Sequence, residues 1–228
     1  GDNYKDSLNQ ALTSAGYKNL SEYRQKMIKQ IQYANFLLDY IDDHFDDVFN
    51  DYYQQCAPKY VSLIKISVSD TSSPTDDETS KLNEVKELIS NTDKSFGDIA
   101  QDYSNDSTSS KKGSLGIVDS KDTSGIANSY GKDVFNAIEA LSEGQVSDVI
   151  TGDNGYYFVK VTSTDKKTLK KELKKTDIDS PLLAYDDYLQ YVVYNSYKIN
   201  YKDKDIKKIV QEVVNKALEE RKTERGEA

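Results

Sequence analysis

Apolar positions keep helical spacing at both ends of this chain and strand-like spacing in the middle. Leu20, Tyr23, Met27, Ile31, Ala34, Leu38 and Ile41 recur at steps of three and four. That is one stripe along about six turns of helix. Gly16 can stop a preceding helix, because a left-handed residue ends helices well. Asn19 and Glu22 form a cap pair for the striped one. Val48, Phe49, Tyr52 and Tyr53 predict a shorter helix that Pro58 closes. At the other end, Ser180 followed by Pro181 supplies an N-cap and a first helical position. Ile206, Ile209, Val210, Val213, Val214, Ala217 and Leu218 then mark a last amphipathic helix.

Between these flanks the period changes. Residues 60–68 (YVSLIKISV) are rich in β-branched residues and predict a strand. A polar loop follows at 69–77, then a helix marked by Leu82, Val85, Leu88 and Ile89, and a short one marked by Phe96, Ile99, Ala100 and Tyr103. Residues 104–125 are rich in Ser, Asp, Lys and Gly around a brief strand, SLGIV, and 132–141 return to helix. VSDVI and YYFVKV, joined by GDNG, predict a hairpin, since Asn-Gly adopts positive φ at little cost. Each flank alone is too small and too polar to bury a stable core. The expected architecture is therefore α+β, with a small, mainly antiparallel sheet and its helices (59–164) inserted in an all-α lobe. Residues 1–58 and 165–228 would build that lobe together.

Composition narrows the function classes. The 228 residues are 36% hydrophobic and 30% charged, with a net charge of −9. Such an acid excess argues against nucleic acid as a partner. One cysteine, Cys56, excludes an internal disulfide and a cysteine zinc site; one histidine, His44, excludes any mechanism needing two imidazoles. No apolar stretch is long enough to span a bilayer and no leader is recognisable, so a soluble chain is expected. The acidic run Asp42–Asp47 lacks the shaped loop of a calcium site and reads as a solvated helix end, so no metal is expected. Nucleotide-binding, zinc-protease and serine-hydrolase signatures are absent.

There are 18 Tyr, 6 Phe and no Trp, a balance suited to half-exposed amphipathic surfaces. Tyr185, Tyr188, Tyr191, Tyr194 and Tyr197 recur every three residues, with Tyr201 four further on. Tyr188, Tyr191 and Tyr194 are candidates for gripping unfolded segments, with packing between elements as the alternative. Lys166, Lys167, Lys170, Lys171, Lys174 and Lys175 form a basic run. It is either a solvated face or a surface for anionic polymer or lipid headgroups.

The central segment carries specific motifs. Tyr103-Ser104-Asn105-Asp106-Ser107 precedes Lys111-Lys112-Gly113-Ser114-Leu115-Gly116; Glu143 to Asp148 reads EGQVSD, and Gly155 to Val161 reads GYYFVKV. In order and spacing these resemble the parvulin patterns YS-x-D-x-S, GG-x-LG, GEVSD and GYHIIKV. The helical flanks resemble the PrsA/SurA class of extracytoplasmic foldases, in which a parvulin domain is inserted in a helical lobe. Lys198-Ile199 and Lys202 to Ile206 are similar to the PrsA C-terminus.

This resemblance implies a peptidyl-prolyl cis–trans isomerase without cofactor, acting on unfolded or partly folded exported polypeptides. It implies a place on the outer face of a bacterial cytoplasmic membrane as a lipoprotein. Membrane contact would come only through a lipid anchor outside this chain, and a homodimer is compatible with the class. Two histidines usual beneath the parvulin site map to Lys65 and Tyr157, and the acidic or cysteine position maps to Asp106. Pocket positions map to Leu115 and to Val134, with Phe135 beside it; Glu139 replaces an aromatic. The expected catalytic set is thus Asp106, Lys65 and Tyr157, altered enough to make activity weak or absent. A purely non-catalytic holdase, or a surface structural protein reusing the fold, is the alternative.

Overall fold

The computed structural model describes residues 2–173 and 180–224. Lys174 and Lys175 of the basic run lie outside the described residues. The chain divides into two compact units after Val48.

The first unit holds α1 (Asp2–Ser14), α2 (Leu20–Asp43) and the start of α3 (Phe45–Cys56). Gly16, at φ +81°, follows the end of α1. Asn19 caps α2 by accepting the Glu22 N–H, and the Glu22 carboxylate accepts the Lys18 N–H at 2.7 Å. His44 interrupts the helical run at φ −124°, separating α2 from α3. The predicted stripe is only partly buried: Ile41 is covered and Ala34 and Leu38 are half-buried, while Tyr23 and Ile31 stay exposed, and the buried position next to it is Leu37.

The second unit contains β1 (Lys59–Ser67), α4 (Asp76–Asn91), α5 (Phe96–Tyr103), β2 (Ser114–Val118), α6 (Ile126–Tyr130), α7 (Lys132–Ala140), β3 (Ile150–Gly152) and β4 (Gly155–Ser163). A 3-10 turn at Ser107–Lys111 precedes β2. After them come α8 (Lys166–Leu173), α9 (Pro181–Ala184), α10 (Asp187–Ser196) and α11 (Lys204–Glu224). The strands form one antiparallel sheet in the order β2-β1-β4-β3.

Strand alternation sends β1 side chains to two separate cores. On one face Val61 and Leu63 pack with Tyr157, Val159, Val134 and Ile138, beneath α6 and α7. On the other, Ile64 and Ile66 pack with Phe158, Val85, Phe96 and Ile99, beneath α4 and α5. Each such fully buried aliphatic side chain contributes about 1.5–3 kcal/mol. Both faces being covered explains why β1 carries aliphatic residues on both sides of its pleat rather than a strict apolar–polar alternation.

Two devices fix the helices on this sheet. Thr75 and Glu78 form a capping box at the start of α4. Glu78 also accepts from the Ser69 N–H at 2.8 Å. The backbone N–H groups of Thr75 and then Ser69 hold its carboxyl down at about 2. At the other face Lys59 Nζ donates to the carbonyls of Ile138 (2.9 Å), Glu139 (2.6 Å) and Leu141 (3.1 Å). These are carbonyls at the end of α7, where a helix leaves acceptors unpaired and favours a cation. Lys59→Met is expected to lower the urea-unfolding free energy by about 2 kcal/mol, the scale of hydrogen bonds to a charged donor. An unchanged midpoint would show that water replaces the amine without loss.

Near the C-terminus the structure differs from the reading of a single tyrosine stripe. A repeat of three is tighter than the helical 3.6, and the chain breaks it twice. Tyr185 ends α9 and is buried, Tyr188, Tyr191 and Tyr194 lie on α10, and Tyr197 caps it in extended backbone. Tyr185 donates to Asp51 of α3 at 2.6 Å, and Arg221 of α11 pairs with the same carboxylate. These contacts join part of the N-terminal flank to the C-terminal helices within this unit.

Candidate functional site

The face beneath α6 and α7 also carries the residues singled out from the sequence. Lys65 and Tyr157 are register partners across β1 and β4, and both point to that face. Lys65 Nζ sits 5.7 Å from the Tyr157 ring centroid, a cation–π distance. The Tyr157 hydroxyl donates to Asn154 Oδ1 at 2.7 Å, in the β3–β4 turn.

Asp106 is positioned by the edge of β1. Where β2 stops pairing, the loop takes its place: Lys65 N–H donates to Ser104 Oγ at 3.0 Å, and Asn105 N–H to the Lys65 carbonyl at 2.8 Å. Ser67 N–H donates to Asn105 Oδ1 at 3.0 Å. The Asp106 side chain then caps the 3-10 turn, accepting from Thr108 N–H (2.9 Å) and Thr108 Oγ1 (2.7 Å). It accepts a third, longer bond from the Tyr130 hydroxyl at 3.4 Å. The expected trio is therefore joined through Tyr130. Lys65 meets the ring of Tyr157, and Asp106 is linked to that ring by way of Tyr130, whose ring lies edge-on to it at 6.2 Å.

Val134 is buried on α7, with Leu115 and Phe135 partly buried against the same core. A cavity of about 440 Å³ lies between residues 127–134 and 150–154, with Tyr130, Val134 and Tyr157 in its wall but neither Leu115 nor Phe135. Tyr130 has no counterpart among the residues chosen from the sequence. It ends a five-residue helix between Gly125 and Gly131, too short to show a period. Burial first, then the Asp106 charge, raise its phenol to about 12. It is thus a neutral hydrogen-bond donor over the whole physiological range.

The tyrosines proposed to hold client chains are also brought together. Tyr188 and Tyr191 rings lie 6.4 Å apart, and the Arg221 guanidinium sits 4.8 Å from the Tyr191 ring. Tyr191 and Tyr194 share a cavity of about 420 Å³ with Ile209, Val213 and Leu218 of α11. On α8, Leu169 and Leu173 are buried, which turns Lys166, Lys167 and Lys171 outward. Among the described residues no group of three or more His, Cys, Asp and Glu is placed to hold a metal. Among them, no helix is long and apolar enough to cross a membrane.

Residues 63–163 match the rotamase family, described as the PPIC-type PPIASE domain. The foldase protein PrsA of Staphylococcus epidermidis is 32% identical over 141 residues, which cover 59% of this chain and 41% of the relative. PrsA of Staphylococcus aureus strain MRSA252 matches to the same extent. The match thus spans 41% of the length of these curated relatives. Among solved structures, the crystal structure of PrsA from Bacillus subtilis is 21% identical, with a TM-score of 0.44 over 90% of this chain and 77% of that one. The solution structure of TbPIN1 is 18% identical, with a TM-score of 0.38 over 47% of this chain and 98% of that one.

Proposed function

We propose, from the match of residues 63–163 to the PPIC-type rotamase family, that this chain assists polypeptide folding as a PrsA-type foldase. In this reading its central domain rotates X–Pro bonds. The observation that carries it is the coincidence of that match with a four-stranded antiparallel sheet on which Lys65 and Tyr157 are register partners and Asp106 is bonded to Tyr130.

The chemistry asked of such a groove is modest. Amide resonance sets a barrier of about 18–20 kcal/mol, so uncatalysed X–Pro rotation takes tens of seconds or more. A pocket that holds the proline and favours the twisted amide lowers that barrier with no covalent step. Apolar contact would come from Leu115, Val134 and Phe135. Lys65 and Asp106 would supply charge near the rotating carbonyl. The activity proposed is weak, because the polar groups are already engaged. Asp106 serves Thr108 and Tyr130, and the Tyr157 hydroxyl serves Asn154. Those same bonds favour, as a second reading, a domain that binds chains without turning them.

The helical lobe assigned to 1–58 and 165–228 would hold clients through Tyr188, Tyr191 and Tyr194. Extracytoplasmic placement, a lipid anchor outside this chain and self-association belong to the same proposal.

A proline-limited refolding assay tests it. Catalytic amounts should accelerate the slow phase slightly, and stoichiometric amounts should suppress client aggregation. Lys65→His with Tyr157→His is expected to raise the isomerase rate at least about ten-fold, equivalent to about 1.4 kcal/mol off the rotation barrier. An unchanged slow phase with reduced aggregation selects the holdase. If neither responds, both foldase readings fail and a structural surface role remains.

A further inference from the structure

We infer that Tyr52 and Asp119 are positioning residues for the candidate site: their buried hydrogen bond straps the loop between β2 and α6 to the flank helix α3, and so sets where α6 holds Tyr130 against Asp106. This rests on the rotamase reading above and adds to it two residues, of which Tyr52 lies outside the matched segment 63–163.

The first observation is the strap itself. Asp119 directly follows β2 and is fully buried, as is Tyr52. The Tyr52 hydroxyl donates to Asp119 Oδ2 at 2.7 Å. Thr123 Oγ1 donates to the same oxygen, and the N–H groups of Lys121 (3.0 Å) and Thr123 (3.2 Å) donate to Oδ1. One carboxylate thus shapes its own loop and meets α3 as well. A second tie runs beside it, from Ser120 N–H to the carbonyl of Cys56, the last residue of α3, at 2.9 Å. Burial first, then the Asp119 charge, push the Tyr52 phenol above its ordinary range, so it stays a donor.

The second observation is how the strap reaches the site. Asp122 N–H donates to the Asp119 carbonyl at 2.9 Å, and Asp122 takes φ +53°, a left-handed conformation that a residue other than glycine keeps only where its surroundings fix it. Its carboxylate then accepts the N–H groups of Ile126 (2.6 Å) and Ala127 (3.0 Å), in the first turn of α6. This helix has five residues, and Tyr130 is the last of them. A shift of the loop therefore carries Tyr130 with it. The 3.4 Å bond from the Tyr130 hydroxyl to Asp106 is already long for such a donor, so a small displacement breaks it.

The third observation is the chemistry chosen. Two apolar side chains would hold α3 on this loop without burying a charge. A carboxylate surrounded by donors adds direction, because each bond fixes a distance and an angle. On its far side the Tyr52 ring stands edge-on to Tyr185 at 5.3 Å, and Tyr185 donates to Asp51, the partner of Arg221. The C-terminal helices thus brace the same strap.

The test uses the full chain, observed by NMR far below its unfolding temperature, where a loss of stability alone does not move native signals. In Tyr52→Phe the Tyr130 ring and Asp106 signals should shift, while those of Val85 and Ile99, on the other face of the sheet, should not. Asp119→Asn keeps an acceptor for Tyr52 and should leave the Tyr130 signals at their wild-type positions. With an Ala-Pro tetrapeptide, Tyr52→Phe should lower the catalysed cis–trans exchange rate at saturation at least about three-fold and keep KM within about two-fold. If Tyr52→Phe does not fold, the wild type decides: in mild urea the Ile126 and Ala127 amides must open to hydrogen exchange in one step with the last turn of α3. Separate steps overturn the inference, as does a folded Tyr52→Phe whose Tyr130 signals match wild type. A wild type that does not accelerate exchange of the peptide overturns the rotamase reading instead, and the Tyr130 signals still decide the positioning.

Discussion

Gly113→Ala is expected to cost about 2–5 kcal/mol and to detach β2 from β1, two causes adding at one residue. Gly113 has φ +75°, where an L side chain costs roughly 1–2 kcal/mol. An added Cβ would also collide with the Leu63 carbonyl and lie 2.8 Å from Ala100 Cβ. The residue cannot yield, because its own carbonyl accepts the Leu63 N–H at 2.8 Å and its N–H donates to the Thr108 carbonyl at 2.9 Å. Overpacking against backbone adds about 1–3 kcal/mol.

Gly144 separates the two causes. It has φ +82°, but a methyl group added there would meet nothing within 4 Å. Gly144→Ala should therefore cost roughly 1–2 kcal/mol, the backbone effect alone. Urea unfolding of both variants measures the difference. Equal losses would mean that the close approach to Leu63 is absorbed by small shifts. Because Gly113 immediately precedes β2, which carries Leu115, the variant should also lose whatever peptide binding the domain has.

Much of this fold can be read in local patterns, because local physics makes it. β1 is buried on both faces and so is rich in aliphatic residues at successive positions, Val61, Leu63, Ile64 and Ile66. The Asn19 and Glu22 pair and the Ser180-Pro181 start are caps that act within four residues. Even the pairing of Lys65 with Tyr157 follows from motif order, since an antiparallel register places one residue opposite another. What stays hidden has no local signature. Tyr130 sits in a helix shorter than two turns, and its partners lie 24 and 27 positions away. Tyr52 donates to the buried Asp119 at 2.7 Å across 67 positions, a bond that no periodicity announces. The tyrosine repeat misleads for the opposite reason. Its regular spacing suggests one helix, whereas burial of Tyr185 against α3 requires a break before α10.

That break leads to the second large effect, at the contact between α3 and α11. Arg221→Met is expected to destabilise the second unit by about 3–5 kcal/mol, the cost of taking the guanidinium away from a buried carboxylate. The Asp51 side chain is 2% exposed and the Arg221 side chain 11%, so neither can turn to water. Tyr185 would still donate to Asp51, and burial followed by that bond already keeps its phenol above the ordinary range. A neutral hydrogen bond does not balance the carboxylate charge, however. The conservative partner change is Asp51→Asn, which removes the charge yet keeps an acceptor for Tyr185. Alone it strands the Arg221 guanidinium, whose Nε is already buried without a hydrogen-bond partner. In combination the two changes remove both charges, and a buried pair replaced by uncharged groups is often close to neutral. The double variant should accordingly recover at least about 2 kcal/mol relative to the sum of the single losses. Thermal or urea unfolding of the four proteins yields that coupling directly. Additive losses would show that Arg221 and Asp51 are each satisfied by other groups, and that α11 is held on α3 by its apolar side chains instead.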